Sequence, residues 1–218
     1  MTYTLPDIPY NFSDFGPAMS EEALCTHYEE YHKNYTTKLN TICEEQKRDT
    51  NRDIRELVKE LDAESTPMLR NNAGGYLNHL MFFQNLTPGG KPISERFAKV
   101  IIDEAGTEQN LIDSLVSLGM SRFGAGWAWL VVRENGEIMG ITTENEDNPL
   151  MPAITEYEAT TYQPILAIDL WEHAYFIDYK HRKKDYLAAV IANIDWSVVE
   201  DRYFAALEEM GIECPYDI

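Results

Sequence analysis

The hydrophobic pattern of the first half predicts long amphipathic helices. Apolar and aromatic residues recur at every third or fourth position along residues 20–45 and again along residues 65–86, which is the spacing of one helical face. Ser20 followed by two glutamates suits the start of the first helix. A shorter helix is predicted at residues 55–62. Because a Pro/Gly-rich connector, residues 87–90, ends this half, we expect the long helices to form an antiparallel hairpin.

The second half shows a different pattern, with short apolar runs among helices. Residues 126–133 and 137–143 are separated by a tight-turn sequence and predict a β-hairpin, and residues 163–170 predict a third strand. Amphipathic spacing predicts further helices at residues 94–103, 108–120, 185–191 and 198–209.

These elements predict an α+β fold. We expect an N-terminal arm and antiparallel helical-hairpin domain at residues 1–88. A C-terminal α/β domain with a small three-stranded antiparallel sheet is expected to follow at residues 89–218. Sheet strands that are mostly apolar indicate that helices cover the sheet.

Composition and charge restrict the class of partner. The chain has 218 residues, 44% of them hydrophobic and 25% charged, which is typical of a globular protein. Its net charge is −19, so we expect neither nucleic acid nor a membrane as partner, because phosphate binding needs a basic surface. No apolar run approaches the ~20 residues that span a bilayer, and no secretory leader is recognisable. The expected location is cytoplasmic.

Histidine and aspartate supply the candidate chemistry, since the three cysteines show neither disulfide nor zinc-site spacing. His173 follows Asp169 by four residues in an aromatic stretch, and His27 and His79 lie in the apolar stripes of the long predicted helices. Each histidine could instead be a core residue, and Asp169 a helix cap. Together, three imidazoles and one carboxylate suit Mn, Fe or Zn and leave a position for solvent.

Five motifs occur in order along the chain. They are Tyr-Thr-Leu-Pro-Asp-Ile-Pro-Tyr at residues 3–10, the helical segment at 27–40, Asn-Asn-Ala-Gly-Gly-Tyr-Leu-Asn-His at 71–79, Arg-Phe-Gly-Ala-Gly-Trp-Ala-Trp-Leu at 122–130 and Asp-Leu-Trp-Glu-His-Ala-Tyr at 169–175. With these motifs the chain resembles the manganese/iron superoxide dismutase family along essentially its whole length. The resemblance implies an enzyme that converts superoxide to dioxygen and hydrogen peroxide, using one Mn or Fe ion per subunit that alternates between the +2 and +3 states.

The resemblance also implies roles for single residues. The family's metal ligands match His27, His79, Asp169 and His173, the set that the residue types already indicated. Tyr35 matches the tyrosine that stands over the metal-bound solvent and guards substrate entry. The aromatic walls of the site match Trp127, Trp129 and Trp171.

A homodimer follows from the resemblance as well. Glu172 matches the glutamate that reaches the ligand histidine of the other subunit, here His173. Tyr31 and Phe176 replace a histidine and a tyrosine that hydrogen-bond across the family's dimer interface. Loss of both partners of a polar contact can be nearly neutral for stability, so we expect a homodimer, with a tetramer as the alternative.

The chain departs from the family at the glutamine that hydrogen-bonds the metal-bound solvent. Residues 145–150 read Asn-Glu-Asp-Asn-Pro-Leu, which puts Glu146 at the glutamine position of one branch of the family, while the other branch's position holds Gly75. An ionised Glu146 accepts hydrogen bonds only and favours bound water and the reduced metal. A protonated Glu146 can donate, as glutamine does. Direct metal ligation and a surface acid are the remaining interpretations.

Substrate attraction is a second open question. The net charge of −19 opposes an anionic substrate such as superoxide. Nearby cations could offset it locally, and the sequence offers Lys33, Arg182, Lys183 and Lys184. We expect steering to be weak.

The leading hypothesis is a superoxide dismutase in which Tyr35 and Glu146 adjust the proton at the site. The alternative is a metal-binding or redox-sensing homologue whose activity is lost or altered because Glu146 sets the redox potential outside the useful range. A third interpretation is metal-assisted hydrolysis with Glu146 as general base.

Overall fold

The structure, a computed structural model, describes residues 2–62, 64–152 and 162–216. It has the predicted architecture of an N-terminal helical hairpin followed by an α/β part with a three-stranded antiparallel sheet. The N-terminal arm is mostly extended, as predicted, apart from a short 3₁₀ helix at Phe12–Phe15. Tyr10 fixes the arm to the hairpin, because its hydroxyl donates to the carbonyl of Phe83 at 2.6 Å. No helix within these described ranges is long and apolar enough to cross a membrane.

The first long helix is continuous but widens in its middle turn. Its three segments are α1 (Glu21–Thr26), a π-helical turn (His27–His32) and α2 (Lys33–Glu45). Ser20 caps it as predicted, since its hydroxyl oxygen accepts the Ala23 N–H at 3.1 Å. The π-helical turn was not predicted. It bonds residues five apart instead of four and leaves both His27 and His32 buried.

The second long helix completes the hairpin. Helix α4 (Pro67–Asn85) has Pro67 in its first turn, where the missing N–H has no intrahelical partner to lose. Between the long helices, α3 (Ile54–Val58) is shorter than the predicted 55–62. The chain turns directly after it, because the Leu61 N–H bonds to the Val58 carbonyl at 3.1 Å, three residues back.

The C-terminal part begins with two helices that match the predicted ones within two residues, α5 (Glu95–Ala105) and α6 (Glu108–Ser121). Both start at hydroxyl caps. The Ser94 oxygen accepts the Phe97 N–H at 2.9 Å, and the Thr107 oxygen accepts the Asn110 N–H at 3.0 Å.

The sheet has its first strand in the centre. The strands are β1 (Gly126–Val132), β2 (Ile138–Glu144) and β3 (Gln163–Asp169), in the order β2-β1-β3 with both pairings antiparallel. Every residue of β1 and β3 is buried, because helices cover the sheet. The register pairs Trp127 with Asp169, so the last residue of β3 lies beside a tryptophan of the central strand.

Three helices follow the sheet: α7 (Glu172–Tyr179), α8 (Lys183–Ala192) and α9 (Trp196–Met210). The last two were predicted, and each begins two residues earlier than expected. Helix α7 was not predicted. Its eight residues are rich in aromatics and include a single buried residue, Ala174, so they show no apolar stripe of helical period.

Candidate metal centre

Separate elements bring the predicted ligands to one point. His27 opens the π-helical turn, His79 lies in α4, Asp169 ends β3 and His173 is the second residue of α7. One candidate ligand atom from each lies within 4.8 Å of the other three. The structure therefore brings together all four residues that the sequence nominated.

A single carboxylate oxygen is the centre of this cluster. Asp169 Oδ2 lies 3.0 Å from His27 Nε2, 3.1 Å from His173 Nε2 and 3.6 Å from His79 Nε2. The other oxygen, Oδ1, accepts the backbone N–H of Trp171 at 2.8 Å. Burial favours the protonated acid, but His173 and His27 outweigh it and hold the pKa of Asp169 well below its usual range. The carboxylate is therefore ionised.

Two of the three imidazoles, His27 and His79, are arranged to offer lone pairs. His79 Nδ1 donates to the carbonyl of Gly75 at 2.6 Å, which fixes the tautomer and leaves Nε2 unprotonated. His27 Nε2 and His79 Nε2 are buried without a hydrogen-bond partner, since the 3.0 Å contact of His27 with Asp169 is not aligned as a hydrogen bond. Burial lowers the pKa of both side chains.

These donors fit a metal ion. Unpartnered buried nitrogens are costly in a folded protein, and neutral imidazoles with one carboxylate form the mixed set that Mn, Fe or Zn accepts. Within the described ranges, no cysteine joins the group. The four side chains could therefore hold one ion.

Aromatic rings surround the cluster as the sequence indicated, with one difference. The ring of Trp127 lies 5.0 Å from that of His79, and the ring of Trp171 lies 5.8 Å from that of His173. Trp129 lies one layer further out, packed on Trp127 at 5.9 Å. Two of the three predicted tryptophans thus line the site directly.

His32 is a member of the site that sequence reasoning missed. Its buried ring stacks on Phe83 at 5.8 Å and on His79 at 5.6 Å. Burial and the neighbouring His27 lower the pKa of His32 to about 3, so the ring is neutral. The π-helical turn explains the omission, because a spacing of five from His27 does not belong to one face of an α-helix.

Glu146 bonds to Tyr35 and Trp127, whose rings pack against His79. Only 2% of it is exposed, so the interpretation as a surface acid is wrong. Its Oε1 is 2.6 Å from the hydroxyl oxygen of Tyr35, and its Oε2 accepts the Trp127 indole N–H at 3.0 Å. Both oxygens face these side chains, and Glu146 is not among the four residues whose ligand atoms converge. The geometry does not support direct ligation.

The surroundings of Glu146 favour the protonated acid. Burial and the negative charge of Asp169 raise the pKa of Glu146 well above its ordinary value, although the Tyr35 and Trp127 hydrogen bonds oppose the shift. Tyr35 donates its hydroxyl proton to Oε1 and Trp127 donates its indole N–H to Oε2, so both oxygens accept in these contacts. Burial raises the pKa of the Tyr35 hydroxyl well above its ordinary value, so the hydroxyl keeps its own proton beside the carboxyl group.

Adjacent glycines of α4 make room for this pair. A Cβ at Gly74 would lie 1.9 Å from the backbone oxygen of Glu146, and one at Gly75 would lie 2.5 Å from the Tyr35 ring. Glu146 and Tyr35 therefore approach α4 more closely than any side chain at these positions allows. A glutamine at Gly75 is incompatible with this position of Tyr35.

An ion pair and amide bonds hold the segment that carries Glu146. Arg70 binds Asp147 with two hydrogen bonds of 2.9 and 2.7 Å. The side-chain amide of Asn78 donates to the Glu146 carbonyl at 3.2 Å, and Asn148 donates to Asn78 at 2.8 Å. These contacts tie the segment to α4, the helix that carries His79.

A surface cavity of about 660 Å³ leads to the cluster, and Tyr35 and His173 line its wall. Tyr31 also lines it and stacks on the His173 ring at 3.9 Å. Lys183 supplies positive charge at the same cavity, and Arg122 also lines it but pairs with Glu144 at 2.9 Å. Arg122 was missed, because its distance in sequence from the ligands gives no sign that it lies beside them.

The other cations that the sequence offered lie elsewhere. Lys33 pairs with Glu29 at 2.9 Å, and Arg182 pairs with Asp185 at 2.8 Å. Lys184 lines a separate groove between α6 and α8. Of the four predicted cations, Lys183 alone is among the residues lining the access cavity.

We predict that Glu146→Gln stabilises the metal-free protein increasingly as the pH rises. The unfolded chain releases this proton above about pH 4.3, whereas the folded wild type retains it, so rising pH favours unfolding until Glu146 ionises in the fold. The variant's advantage should grow by up to about 1.4 kcal/mol per pH unit. Chemical unfolding of both proteins at pH 4, 5.5 and 7 measures this difference in the free energy of unfolding.

The exposed Glu134→Gln substitution is the matched control, and its stability difference from wild type should stay constant with pH. A constant difference for Glu146→Gln as well would show that Glu146 is ionised in the folded protein.

Comparison with known proteins agrees with this geometry. The α-hairpin domain of iron/manganese superoxide dismutases matches residues 2–87, and their C-terminal domain matches residues 93–202. A Thermus thermophilus protein named superoxide dismutase (Mn) is 36% identical over 204 residues, covering 91% of this chain and 96% of the relative. One of the same name from Thermus aquaticus is 35% identical over 209 residues, covering 94% and 98%. The chain belongs to the iron/manganese superoxide dismutase family.

Proposed function

We propose that this protein disproportionates superoxide. Two superoxide anions and two protons give one dioxygen and one hydrogen peroxide, so one substrate loses an electron and the other gains it. The convergence of His27, His79, Asp169 and His173 carries the proposal. A bound Mn or Fe ion, one per chain, supplies one-electron chemistry between the +2 and +3 states. Manganese is favoured, since both relatives described above are named for it.

The ligands and aromatic rings have separate tasks in this proposal. Asp169 contributes one negative charge, and the neutral imidazoles hold the ion without adding charge. The rings of Trp127 and Trp171 keep bulk water from the histidines that they contact. A dry, fixed ligand set reduces reorganisation when the charge of the site changes by one.

Tyr35 and Glu146 supply protons in this proposal. Hydrogen peroxide carries two protons that superoxide lacks, and a proton is available at the 2.6 Å contact between Glu146 Oε1 and the Tyr35 hydroxyl. Tyr35 also lines the access cavity, so it connects the buried acid to the solvent side. A neutral carboxyl group both donates and accepts, as glutamine does.

The glutamate at position 146, where the family has glutamine, is the observation behind an alternative function. An ionised Glu146 would only accept hydrogen bonds and could not donate as glutamine does, which would leave a metal-binding homologue with lost or altered activity. Hydrolysis with Glu146 as general base has less support, because a protonated carboxyl group cannot accept a proton.

We also propose a homodimer through Glu172 and His173. Glu172 is exposed and makes no hydrogen bond or ion pair with any residue in the described ranges. The large apolar side chains of Phe123 and Phe176 are 94% and 50% exposed in the same region, as is usual for a surface that another chain covers. A tetramer would need a further interface.

The free thiols of the three cysteines fit a cytoplasmic protein.

The activity test uses wild type and Glu146→Gln, each loaded separately with Mn and with Fe. We expect wild type to dismute superoxide with at least one metal, and the variant to remain within about tenfold of it at pH 7, because both groups donate and accept. An inactive wild type rescued by Glu146→Gln would support the alternative function. Two inactive, fully loaded proteins would exclude dismutation.

Lys183→Gln should slow substrate capture. Removing one cation from the access cavity is expected to lower kcat/KM for superoxide about threefold at low ionic strength, and the difference should vanish at high salt. Lys184→Gln is the matched control, because it removes the same charge one residue away, outside this cavity. Equal effects of both substitutions would contradict a local role of Lys183.

Glu172→Gln should weaken the dimer. Truncating one partner of a buried charge-assisted contact costs at least about 2 kcal/mol, so we expect the dissociation constant to rise about 30-fold or more. Sedimentation equilibrium measures it, with the exposed Glu208→Gln as control. A dimer unaffected by Glu172→Gln, or a monomeric wild type, would contradict the proposed interface.

A further inference from the structure

A second cavity lies between α3, α4, β3 and α9, apart from the access cavity of the metal centre. Its volume is about 220 Å³. The polar side chains in its wall are Arg55, Arg202, Gln84, Gln163 and Asp53, and the remainder of the wall is mainly apolar. Two guanidinium groups around one cavity are notable in a chain of net charge −19.

The carboxamides of this cavity are oriented as donors. Gln84 Oε1 accepts from Arg202 at 2.8 Å, and Gln163 Oε1 accepts from Arg55 at 2.5 Å. A guanidinium group can only donate, so each glutamine must turn its oxygen toward the arginine. The amide NH₂ groups of Gln84 and Gln163 make no hydrogen bond to any described residue, which leaves them free to donate.

Among the described residues, no carboxylate pairs directly with the charge of Arg202. Its guanidinium donates to Gln84, to the Asn85 side chain and to the Ile165 carbonyl, which are all neutral. Burial and the nearby charge of Arg55 lower the pKa of Arg202 to about 10, so it still carries its proton at neutral pH. A half-buried cation whose hydrogen-bond partners are neutral favours an added anion.

The two described acids nearby, Asp53 and Glu209, make other contacts. Asp53 accepts the backbone N–H of Arg55 at 2.8 Å as the cap of α3. Glu209 pairs with Arg55 at 3.1 Å and with Lys59 at 2.9 Å, and it does not line the cavity. The polar wall of the cavity therefore consists mainly of N–H donors from two arginines and two glutamines.

We propose that this cavity binds a small organic anion. Its carboxylate or phosphate group lies between Arg55 and Arg202, which suit such oxyanions because their planar N–H groups match two oxygens at once. Its short apolar part lies on Leu77, Leu80 and Met81, which line the same cavity. Apolar walls with a few convergent polar groups are the usual composition of a small-molecule site.

Calorimetric titration of the metal-loaded protein with benzoate, phenyl phosphate and inorganic phosphate at constant ionic strength tests the site. We expect saturable binding of one molecule per chain, with an aromatic probe binding at least about tenfold more tightly than inorganic phosphate. The tighter of the two aromatic probes identifies carboxylate or phosphate as the preferred group.

Arg55→Gln should weaken that binding at least about tenfold. Lys59→Gln is the matched control, because it also removes a positive partner of Glu209 but does not line the cavity, and it should leave the affinity unchanged. Gln84→Glu, which places a carboxylate beside Arg202 and removes no arginine, should weaken binding as Arg55→Gln does. No saturable binding of any probe, or binding that Arg55→Gln leaves unchanged, as expected for capture at the metal, would overturn the proposal.

Discussion

The structure depends on one buried carboxylate oxygen with three imidazole nitrogens around it. Asp169 is ionised and lies out of contact with water, while burial keeps His27 and His79 neutral. A metal ion best satisfies the negative charge of Asp169 together with the lone pairs of the imidazole nitrogens beside it. The elements are arranged accordingly: the π-helical turn directs His27 inward, and the end of β3 carries Asp169 into the centre.

The negative charge of Asp169 also affects side chains outside the cluster. Asp169 helps to keep Glu146 protonated, and the glycines of α4 allow Glu146 and Tyr35 to approach the helix that carries His79. In the proposed function, proton supply and metal binding would thereby be coupled through one short segment of α4. A glutamate at a position that is usually glutamine is then compatible with turnover, because burial converts it to a neutral donor and acceptor.

The sequence predicted the fold class and nominated the four residues of the cluster. His27 and His79 lie in the apolar stripes of long amphipathic helices, and His173 follows Asp169 by four residues in an aromatic stretch. It did not predict α7 or the burial of His32. Short aromatic helices lack a clear period, and the π-helical turn breaks the expected one. The protonation of Glu146 and the position of Arg122 depend on neighbours that only the folded chain brings together.

The most direct test of the account is the equilibrium metal content of wild type and His79→Gln after exposure to Mn or Fe and dialysis. We expect one ion per wild-type chain, and a variant that loses most of it because an imidazole with its lone pair directed at the centre is gone. A variant that keeps one ion with unchanged affinity would contradict the central claim, as would a folded wild type that retains neither metal.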